Sequence, residues 1–326
     1  MSEVSLVQAI NLALRRAMME DPRVLLLGED VGINGGVFRA TESLFQAFGE
    51  QRVIDTPLAE AGIAGVSIGL AVQGFRPVAE IQFTGFAYTC IDQLLNHAAR
   101  MRSRTRGRLT CPMVLRSPAG GGIHAAEHHS ESPEAMFAHT PGLKVVTPSS
   151  PRRAYGLLLS AIRDPDPVVF LEPTRLYRAA HEEVTDDGIG IPLDCCAVLR
   201  PGRDVTLVSW GAMITETLRA AENLSRENID AEVIDVATLK PLDSATILES
   251  VARTGRLTIV HEAPLTCGLG AEIAARVASR GLTTLLAPIE RVTGFDTMMP
   301  YPRSEAFYMP SADRVTAAVR RTMAYT

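Results

Sequence analysis

Residues 52–65 read RVIDTPLAEAGIAG, and this stretch decides the fold class. A short apolar run at Val53-Ile54 leads to a turn at Thr56-Pro57, and small apolar residues then continue to about Gln73. The pattern predicts a strand, a turn and a helix that begins near Leu58. Repeated units of this kind build α/β folds, in which helices cover a parallel sheet.

Glu60 is the only charged residue between Asp55 and Arg76. A carboxylate in the first turn of a helix is favoured by the positive helix N-terminus, and it then lies near solvent. Alternatively, this carboxylate is buried and faces a ligand that needs an acidic partner. Its position in the sequence leaves both interpretations open.

The composition excludes several classes of protein. The chain has 326 residues, enough for two domains, with a formal net charge of −5 and no long basic run, so nucleic acid is not an expected partner. The N-terminus lacks the features of a signal peptide. The longest uncharged stretch, residues 61–75, is too short for a bilayer span of about 20 residues. The five cysteines form no CxxC pair, so we expect a cytoplasmic protein with reduced thiols and no membrane contact.

Short apolar runs alternate with helical patterns in two series, which predicts a mostly parallel α/β sheet in each of two domains. The polar stretch between residues 178 and 202 separates the series, and we place the domains at residues 1–185 and 186–326. The predicted strands are 24–27, 53–54, 77–81, 112–115, 143–146, 168–171, 205–209, 231–235 and 257–260, and the predicted helices are 4–20, 58–73, 86–103, 151–163, 212–226, 243–253, 269–280 and 312–323.

Loops that follow strands are where α/β folds bind ligands. Residues 116–122 are predicted to be such a loop, and it leads towards His124, His128 and His129. Its three glycines could cradle a phosphate, but no Lys-Ser/Thr follows, so a P-loop is excluded and a tight turn is favoured. Adjacent histidines rarely converge on one zinc ion, which leaves solvated or catalytic histidines as the alternatives.

Several sequence blocks, in order along almost the whole chain, resemble the beta subunit of thiamine diphosphate-dependent 2-oxo acid dehydrogenases. The blocks are Gly28–Gly32, Gly35–Phe38, Asp55–Ile63, Ile91–Gln93, Pro141–Val146 and His261–Pro264. The resemblance implies a pyrimidine-binding-type parallel-sheet domain followed by a transketolase C-terminal-like α/β domain. Residues 132–139, 291–297 and 307–310 look more like the branched-chain members than the pyruvate members.

The resemblance also implies a cofactor site for thiamine diphosphate, formed by Glu60, Leu58, Gln82 and Phe86. Glu60 matches the carboxylate that binds a ring nitrogen of the aminopyrimidine. This pairing favours the imino tautomer, which removes the thiazolium proton, and an apolar surround strengthens it. Phe86 resembles the aromatic residue that packs on the pyrimidine ring.

His129 matches the histidine of the family's His-Ser-Gln segment, which handles a proton during acyl transfer to the lipoyl group. Here Glu131 stands in place of the glutamine, and His128 precedes, so either histidine could act, although we favour His129. The resemblance further implies a structural potassium site. Its ligands would be the carbonyls of Met113, Ala161, Ile162 and Asp166 and a contact from Asp164, and oxygen ligands suit a hard cation. Asp166 stands where asparagine is common.

No Gly-Asp-Gly sequence occurs, so the chain lacks the family's magnesium-diphosphate motif. The resemblance implies that a separate alpha subunit holds Mg²⁺ and the diphosphate, in an assembly of two alpha and two beta chains that binds a lipoyl acyltransferase core. The implied reaction is oxidative decarboxylation of a small 2-oxo acid, of the 3-methyl-2-oxobutanoate type, with reductive acylation of lipoyl-lysine. The alternatives are a pyruvate dehydrogenase or acetoin dehydrogenase beta subunit and, in another class, a non-catalytic scaffolding subunit.

Overall fold

The computed structural model of the chain describes residues 2–179 and 181–325. It divides into two compact units. Unit 1 contains the described residues up to Ala119 together with Met136–Leu193, and unit 2 contains Gly120–Ala135 and the chain from Asp194 onward. The chain therefore leaves unit 1 after a strand, contributes a short segment to unit 2, and returns.

Unit 1 alternates strands with helices along the chain. Its strands are β1 (Ser2–Ser5), β2 (Val24–Gly28), β3 (Val53–Asp55), β4 (Arg76–Glu80), β5 (Val114–Ala119), β6 (Lys144–Val146), β7 (Val168–Pro173) and β8 (His181–Val184). Its helices are α1 (Leu6–Glu20), α2 (Leu44–Phe48), α3 (Glu60–Val72), α4 (Thr84–Ala87), α5 (Ile91–Gln93), α6 (Met101–Arg104) and α8 (Pro151–Arg163); α7 (Glu134–His139) begins in unit 2.

Strands β2 to β7 are parallel and lie side by side in the order β6-β7-β5-β4-β2-β3. Every residue of β2, β5 and β7 is buried, as expected for a parallel sheet covered on both faces. Gly28 is in register with both Asp55 and Glu80, so the residues that follow β2, β3 and β4 emerge at one edge of the sheet. That shared edge places the predicted cofactor residues close together.

The strands of unit 2 are β9 (Ala197–Arg200), β10 (Val205–Ser209), β11 (Ala231–Asp235), β12 (Thr238–Lys240), β13 (Leu257–Val260) and β14 (Glu290–Val292). Its helices are α9 (Met213–Ser225), α10 (Ser244–Thr254), α11 (Leu269–Gly281), α12 (Pro302–Tyr308) and α13 (Ala312–Met323). One sheet has the order β14-β13-β10-β11-β9, in which only the edge strand β9 is antiparallel among the described strands. Across the described ranges 2–179 and 181–325, no helix combines the length and hydropathy that a membrane crossing requires.

The α/β prediction is confirmed, but two of its details are wrong. The helix predicted at 86–103 is broken into α4, α5 and α6, joined by a 3₁₀ turn at Tyr88–Cys90 and a π-helix at Leu94–Ala98. Thr89 contributes to the break because its hydroxyl bonds the Phe86 carbonyl, in competition with the helical pattern. The strand predicted at 112–115 lies instead at Val114–Ala119, so residues 116–119 belong to β5 and not to a loop.

Candidate active site

Glu60 is the first residue of α3 and is half-buried. The N-cap residue, Ala59, makes no side-chain hydrogen bond, so no capping side chain satisfies the first-turn amides. The positive end of the helix thus favours the Glu60 carboxylate without enclosing it. Leu58 precedes the helix, contrary to the predicted start, and is 80% exposed.

Glu29 lies beside Glu60 and is the most informative residue that sequence reasoning missed. It directly follows β2 and is only 8% exposed, and within the described residues its Oε1 has no hydrogen-bond partner. Burial raises the pKa of this carboxyl, the negative charge of Glu60 raises it further, and a hydrogen bond from the Ala59 amide opposes the rise. The pair therefore combines a carboxyl that retains its proton more readily with a more exposed carboxylate.

The turn that carries Glu29 is fixed by Asp55 at the end of β3. The Asp55 carboxylate accepts hydrogen bonds from the amides of Gly32, at 2.6 Å, and Ile33, at 3.4 Å. A Cβ atom on Gly32 would lie 2.5 Å from Asp55 Oδ2, so the close approach requires glycine. The arrangement joins the turn after β2 to the end of β3 through Gly32 and Asp55.

Gln82 and Phe86 lie after β4, near the start of α3. The Gln82 amide donates to Asp30 Oδ2 at 3.1 Å, next to Glu29. The half-buried Phe86 ring packs edge-on against Phe83, with 6.0 Å between ring centroids. Four residues beyond Phe86, the thiol of Cys90 donates to the Glu60 carbonyl at 3.2 Å, so the segment after β4 contacts the start of α3.

An ion-pair network lies inside the sheet beneath this edge. Arg116 is 1% exposed and donates to Glu80 at 2.8 Å and to both oxygens of Glu172, at 2.6 and 3.0 Å. The Tyr177 hydroxyl donates to Glu172 at 2.6 Å. Burial raises the pKa of Glu80. The positive charge of Arg116 opposes this rise, and the negative charge of Glu172 adds to it. One guanidinium thus compensates two buried carboxyls, an arrangement tolerated only because its hydrogen bonds are satisfied.

The residues of the predicted cation site belong to unit 1, with Met113 just before β5 and the others at the end of α8 and before β7. Val168 N–H donates to the Met113 carbonyl at 3.0 Å, and Asp164 N–H donates to the Ala161 carbonyl at 3.3 Å. The Arg76 guanidinium donates to the Ile162 carbonyl at 2.9 Å. Each carbonyl oxygen has two lone pairs, so these contacts leave one on each for a cation.

Side-chain cations already lie against the acidic members of this set. The Lys144 ammonium pairs with one oxygen of Asp164, and the Arg102 guanidinium pairs with Asp166 at 2.8 Å. Among residues 2–179 and 181–325, no cluster of three or more histidine, cysteine or acidic side chains is placed to hold a metal ion. A cation here would be coordinated mainly by backbone carbonyls and not by such side chains.

His129 belongs to unit 2, whereas the other predicted site residues belong to unit 1. It ends a 3₁₀ turn at Glu127–His129 and is half-buried, with its ring centroid 4.2 Å from that of His128. Burial lowers the pKa of His129, and a positive charge on His128 would lower it further, while Glu127 opposes the change. The neutral imidazole therefore predominates at neutral pH.

The glycine run before the histidines is not a phosphate cradle. Gly121 N–H donates to Glu262 Oε1 at 3.1 Å, and Gly122 N–H donates to Glu305 Oε1 at 2.5 Å. Carboxylates thus occupy the amides that would have bound an anion, and their charge would repel one. The turn interpretation therefore fits the structure, although the acidic partners were not foreseen.

Another buried acid, Glu134, follows the histidine-bearing part of the chain. Glu134 is 3% exposed, and its Oε1 accepts a hydrogen bond from Trp210 Nε1 at 3.2 Å. Burial raises the pKa of Glu134 to about 8. The Trp210 ring stacks on His261 at 5.1 Å, and burial lowers the pKa of His261 to about 4, so both residues beside the indole are neutral at pH 7.

Comparison with known proteins matches both halves of the chain. The transketolase pyrimidine-binding domain family matches residues 2–180, and the transketolase C-terminal domain family matches residues 195–315. A pyruvate dehydrogenase E1 component subunit beta from Bacillus subtilis (strain 168) is 47% identical over 325 residues and is covered in full, as is this chain. The chain belongs to the E1 beta-subunit family of 2-oxo acid dehydrogenases. Another E1 beta relative, from Leifsonia xyli subsp. xyli, is 48% identical over 320 residues, covering 98% of this chain and 95% of that protein.

The E1 beta relatives bear on the predicted subgroup. Those described above carry the pyruvate name, as does one from Acholeplasma laidlawii that is 47% identical over 98% of both chains. They support the pyruvate alternative better than the branched-chain prediction, for which these comparisons give no support. A split-gene transketolase, described as an inactive beta4 tetramer, has a TM-score of 0.81 at 24% identity over 99% of each chain, which shows the shared fold.

This E1 beta family is thiamine diphosphate-dependent, and the residues of unit 1 fit the aminopyrimidine part of that cofactor. A carboxylate for a ring nitrogen is present in Glu60, an aromatic surface is present in Phe86, and the exposed face of α3 near Gly62 is small and apolar. The unpartnered Oε1 of Glu29 is a further polar atom beside this position. The strand-end block Gly28–Gly32 was the sequence signal that could have identified Glu29.

Proposed function

We propose that this chain is the beta subunit of a pyruvate dehydrogenase E1 component and that it acts only with an alpha subunit. Relatives matched end to end at 47% and 48% identity carry that name. The observation in the molecule that carries the proposal is the half-buried Glu60 at the start of α3, beside the buried carboxyl of Glu29. A carboxylate at the start of this helix suits a ring nitrogen of an aminopyrimidine.

When bound, thiamine diphosphate supplies an electron sink for decarboxylation of a 2-oxo acid. Glu60 holds a ring nitrogen of the aminopyrimidine by a charge-assisted hydrogen bond, and the apolar residues of α3 strengthen that bond by excluding water. Burial and the charge of Glu60 raise the pKa of Glu29, which places a carboxyl that binds a proton more readily close to this carboxylate.

The remaining predicted cofactor residues bind and orient rather than transfer protons. Phe86 offers its face or edge to the pyrimidine ring, and its packing on Phe83 keeps it in place. Gln82, bound to Asp30, supplies a polar contact whose direction is fixed. Leu58 is 80% exposed and is free to contact the cofactor or the alpha subunit.

His129 handles the proton during acyl transfer to the lipoyl group, and His128 is the second candidate. The lowered pKa of His129 leaves its imidazole neutral at pH 7, which suits it to accept a proton first. The ring of His128 lies 4.2 Å away and influences that pKa. The acyl acceptor is a lipoyl-lysine of the acyltransferase core.

Two metal ions belong to the proposal. Mg²⁺ and the diphosphate are held mainly by the alpha subunit, since this chain lacks the corresponding sequence motif. K⁺ is held by the remaining lone pairs of the carbonyls, and the Asp164 carboxylate, which also pairs with Lys144, is the acidic contact. The proposed ligands are Met113, Ala161, Ile162, Asp164 and Asp166.

The substrate assignment rests on the relatives, while residues 132–139, 291–297 and 307–310 favour 3-methyl-2-oxobutanoate as the second candidate. We would co-express the chain with its alpha subunit, add thiamine diphosphate and Mg²⁺, and compare pyruvate, 3-methyl-2-oxobutanoate and acetoin with an artificial electron acceptor. Pyruvate is expected to give the highest kcat/KM. A preference for either other compound would overturn the substrate assignment but not the reaction class.

Glu60→Gln tests the catalytic role directly. Gln keeps the size of the side chain but carries no negative charge, so we expect assembly to persist and decarboxylation to fall about 100-fold or more. Glu249→Gln, an exposed change on α10, is the matched control. Full activity of the Glu60 variant would contradict this role, and an inactive but well-formed assembly of the wild type would favour a scaffolding subunit.

A further inference from the structure

Two carboxylates from separate parts of unit 2 bind the backbone of the histidine segment, which we define as Gly120–Glu131. Glu262 Oε1 accepts from Gly121 N–H at 3.1 Å and from the Ser132 hydroxyl at 2.5 Å. Glu305, on α12, accepts from the amide of Gly122 through one oxygen and from that of His124, at 3.2 Å, through the other. In each of these hydrogen bonds, donor and acceptor therefore both belong to unit 2.

Glu305 is almost fully enclosed by these contacts. Its side chain is 3% exposed, and besides the two amides the Nδ1 atom of His124 lies 2.6 Å from Glu305 Oε2. A carboxylate buried to this degree is stable only when hydrogen-bond donors compensate for lost hydration. The segment supplies those donors, so the fold of the segment and the burial of Glu305 depend on each other.

The glycines permit this close approach. A Cβ atom on Gly120 would lie 2.0 Å from Glu262 Oε1, and one on Gly121 would lie 2.6 Å from Met299 Cε. Gly120 also has φ +85°, which disfavours any other residue. Gly120 is thus explained by its contact with Glu262 and Gly121 by its contact with Met299, while Gly122 has a positive φ of 87°, and no bound phosphate is needed.

The catalytic candidates lie within the part of the chain that these bonds enclose. Gly120 N–H donates to the Glu131 carbonyl at 2.8 Å and closes the base of the segment. His129 N–H then donates to the Ala126 carbonyl at 3.0 Å and forms the local turn. The backbone that carries His128 and His129 thus lies between two bonded points, the closed base and the bound amide of His124.

We infer that Glu262 and Glu305 are positioning residues, which act through the histidine segment to place His128 and His129 for acyl transfer. The inference rests on the proposed function, because it assigns these glutamates to the lipoyl half-reaction. It separates them from Glu60, which belongs to unit 1 and to decarboxylation.

Glu305→Gln is the test variant, because it preserves shape and removes one acceptor. The Gln side chain has a single acceptor oxygen, and its amide group would face an N–H of Gly122 or His124. Displacing a reacting group by about 1 Å lowers the rate by up to about 100-fold. We therefore expect kcat/KM for a lipoyl domain to fall about tenfold or more, and the artificial-acceptor assay to change much less.

Glu232→Gln is the matched control. It also removes a buried carboxylate of unit 2 that accepts from a glycine amide, but its bonds are to Gly202 and Arg253, outside the histidine segment. Glu305→Asp, which restores the charge, should recover part of the acyl-transfer rate. Hydrogen exchange should show faster exchange of the Gly122 and His124 amides in Glu305→Gln but not in Glu232→Gln.

The outcomes separate this inference from the proposed function. Selective loss of acyl transfer in Glu305→Gln, together with a similar loss in His129→Ala or His128→Ala, would support it. Equal loss in both assays, or no loss although a histidine variant is impaired, would overturn it while the proposed function stands. A wild-type assembly without decarboxylation would overturn the proposed function and this inference together.

Discussion

The buried carboxyl of Glu134 predicts an unusual dependence of stability on pH. Its pKa is about 8, compared with the ordinary value of 4.5, because burial disfavours the charged form. Between these values the folded protein keeps a proton that the unfolded chain has lost. Stability from this group is therefore fully present below about pH 4.5 and is lost as the pH rises through about 8.

The size of the effect follows from the pKa difference. One pKa unit corresponds to about 1.4 kcal/mol. Raising the pH from 5 to 8 therefore lowers the free energy of unfolding by about 4 kcal/mol. Glu134→Gln keeps the acceptor for Trp210 and has no proton to lose. For a chain of this size, 1 kcal/mol changes Tm by about 2 °C. The Tm values of Glu134→Gln and the wild type should therefore diverge by roughly 8 °C between about pH 5 and pH 8.

The assay is thermal unfolding of both variants in the assembled protein at pH 5, 6, 7 and 8, with Glu249→Gln as an exposed control. The Tm of the Glu134→Gln variant should rise relative to the wild type as the pH increases. Other titrating groups cancel in this comparison because both variants share them. A Tm difference that stays constant from pH 5 to pH 8 would refute the assignment of a raised pKa to Glu134.

Two substitutions test the packing of unit 1. Arg116→Met leaves the buried carboxyls of Glu80 and Glu172 without their guanidinium, and should cost about 3–5 kcal/mol in a urea-unfolding measurement; a loss below 1 kcal/mol would show that the network is not needed. Gly32→Ala places a Cβ atom 2.5 Å from Asp55 Oδ2 and should weaken thiamine diphosphate binding, measured by calorimetry, with less effect on Tm. Unchanged affinity would contradict the link between this turn and the cofactor site.

The alternation of strands and helices was predictable because parallel strands are buried on both faces and read as short apolar runs. Strand β2 illustrates this, since all its residues are buried. Arg116 was not predictable by the same rule. A charged residue ends an apolar run in the sequence, yet here it continues β5 because Glu80 and Glu172, distant in the sequence, neutralise it.

The candidate site was predictable where local sequence sets the geometry and unpredictable where distant residues meet. Glu60 was identifiable as an isolated acid at a helix start. The raised pKa of Glu29 and that of Glu134 both come first from burial, which residues distant in the sequence create, so neither has a local signal. The family resemblance added residue roles, but the comparisons did not support its branched-chain detail.

The excursion of the chain into unit 2 has a consequence for biosynthesis. Gly121 is made 141 residues before Glu262, its hydrogen-bond partner. At about 5–20 residues per second, the segment waits roughly 7–30 s on the ribosome before that carboxylate exists. During this time most of unit 1 can already fold. The histidine segment can form its hydrogen bonds to Glu262 and Glu305 only later, when those residues have been made. A chain whose translation stops before Glu262 would lack both bonds.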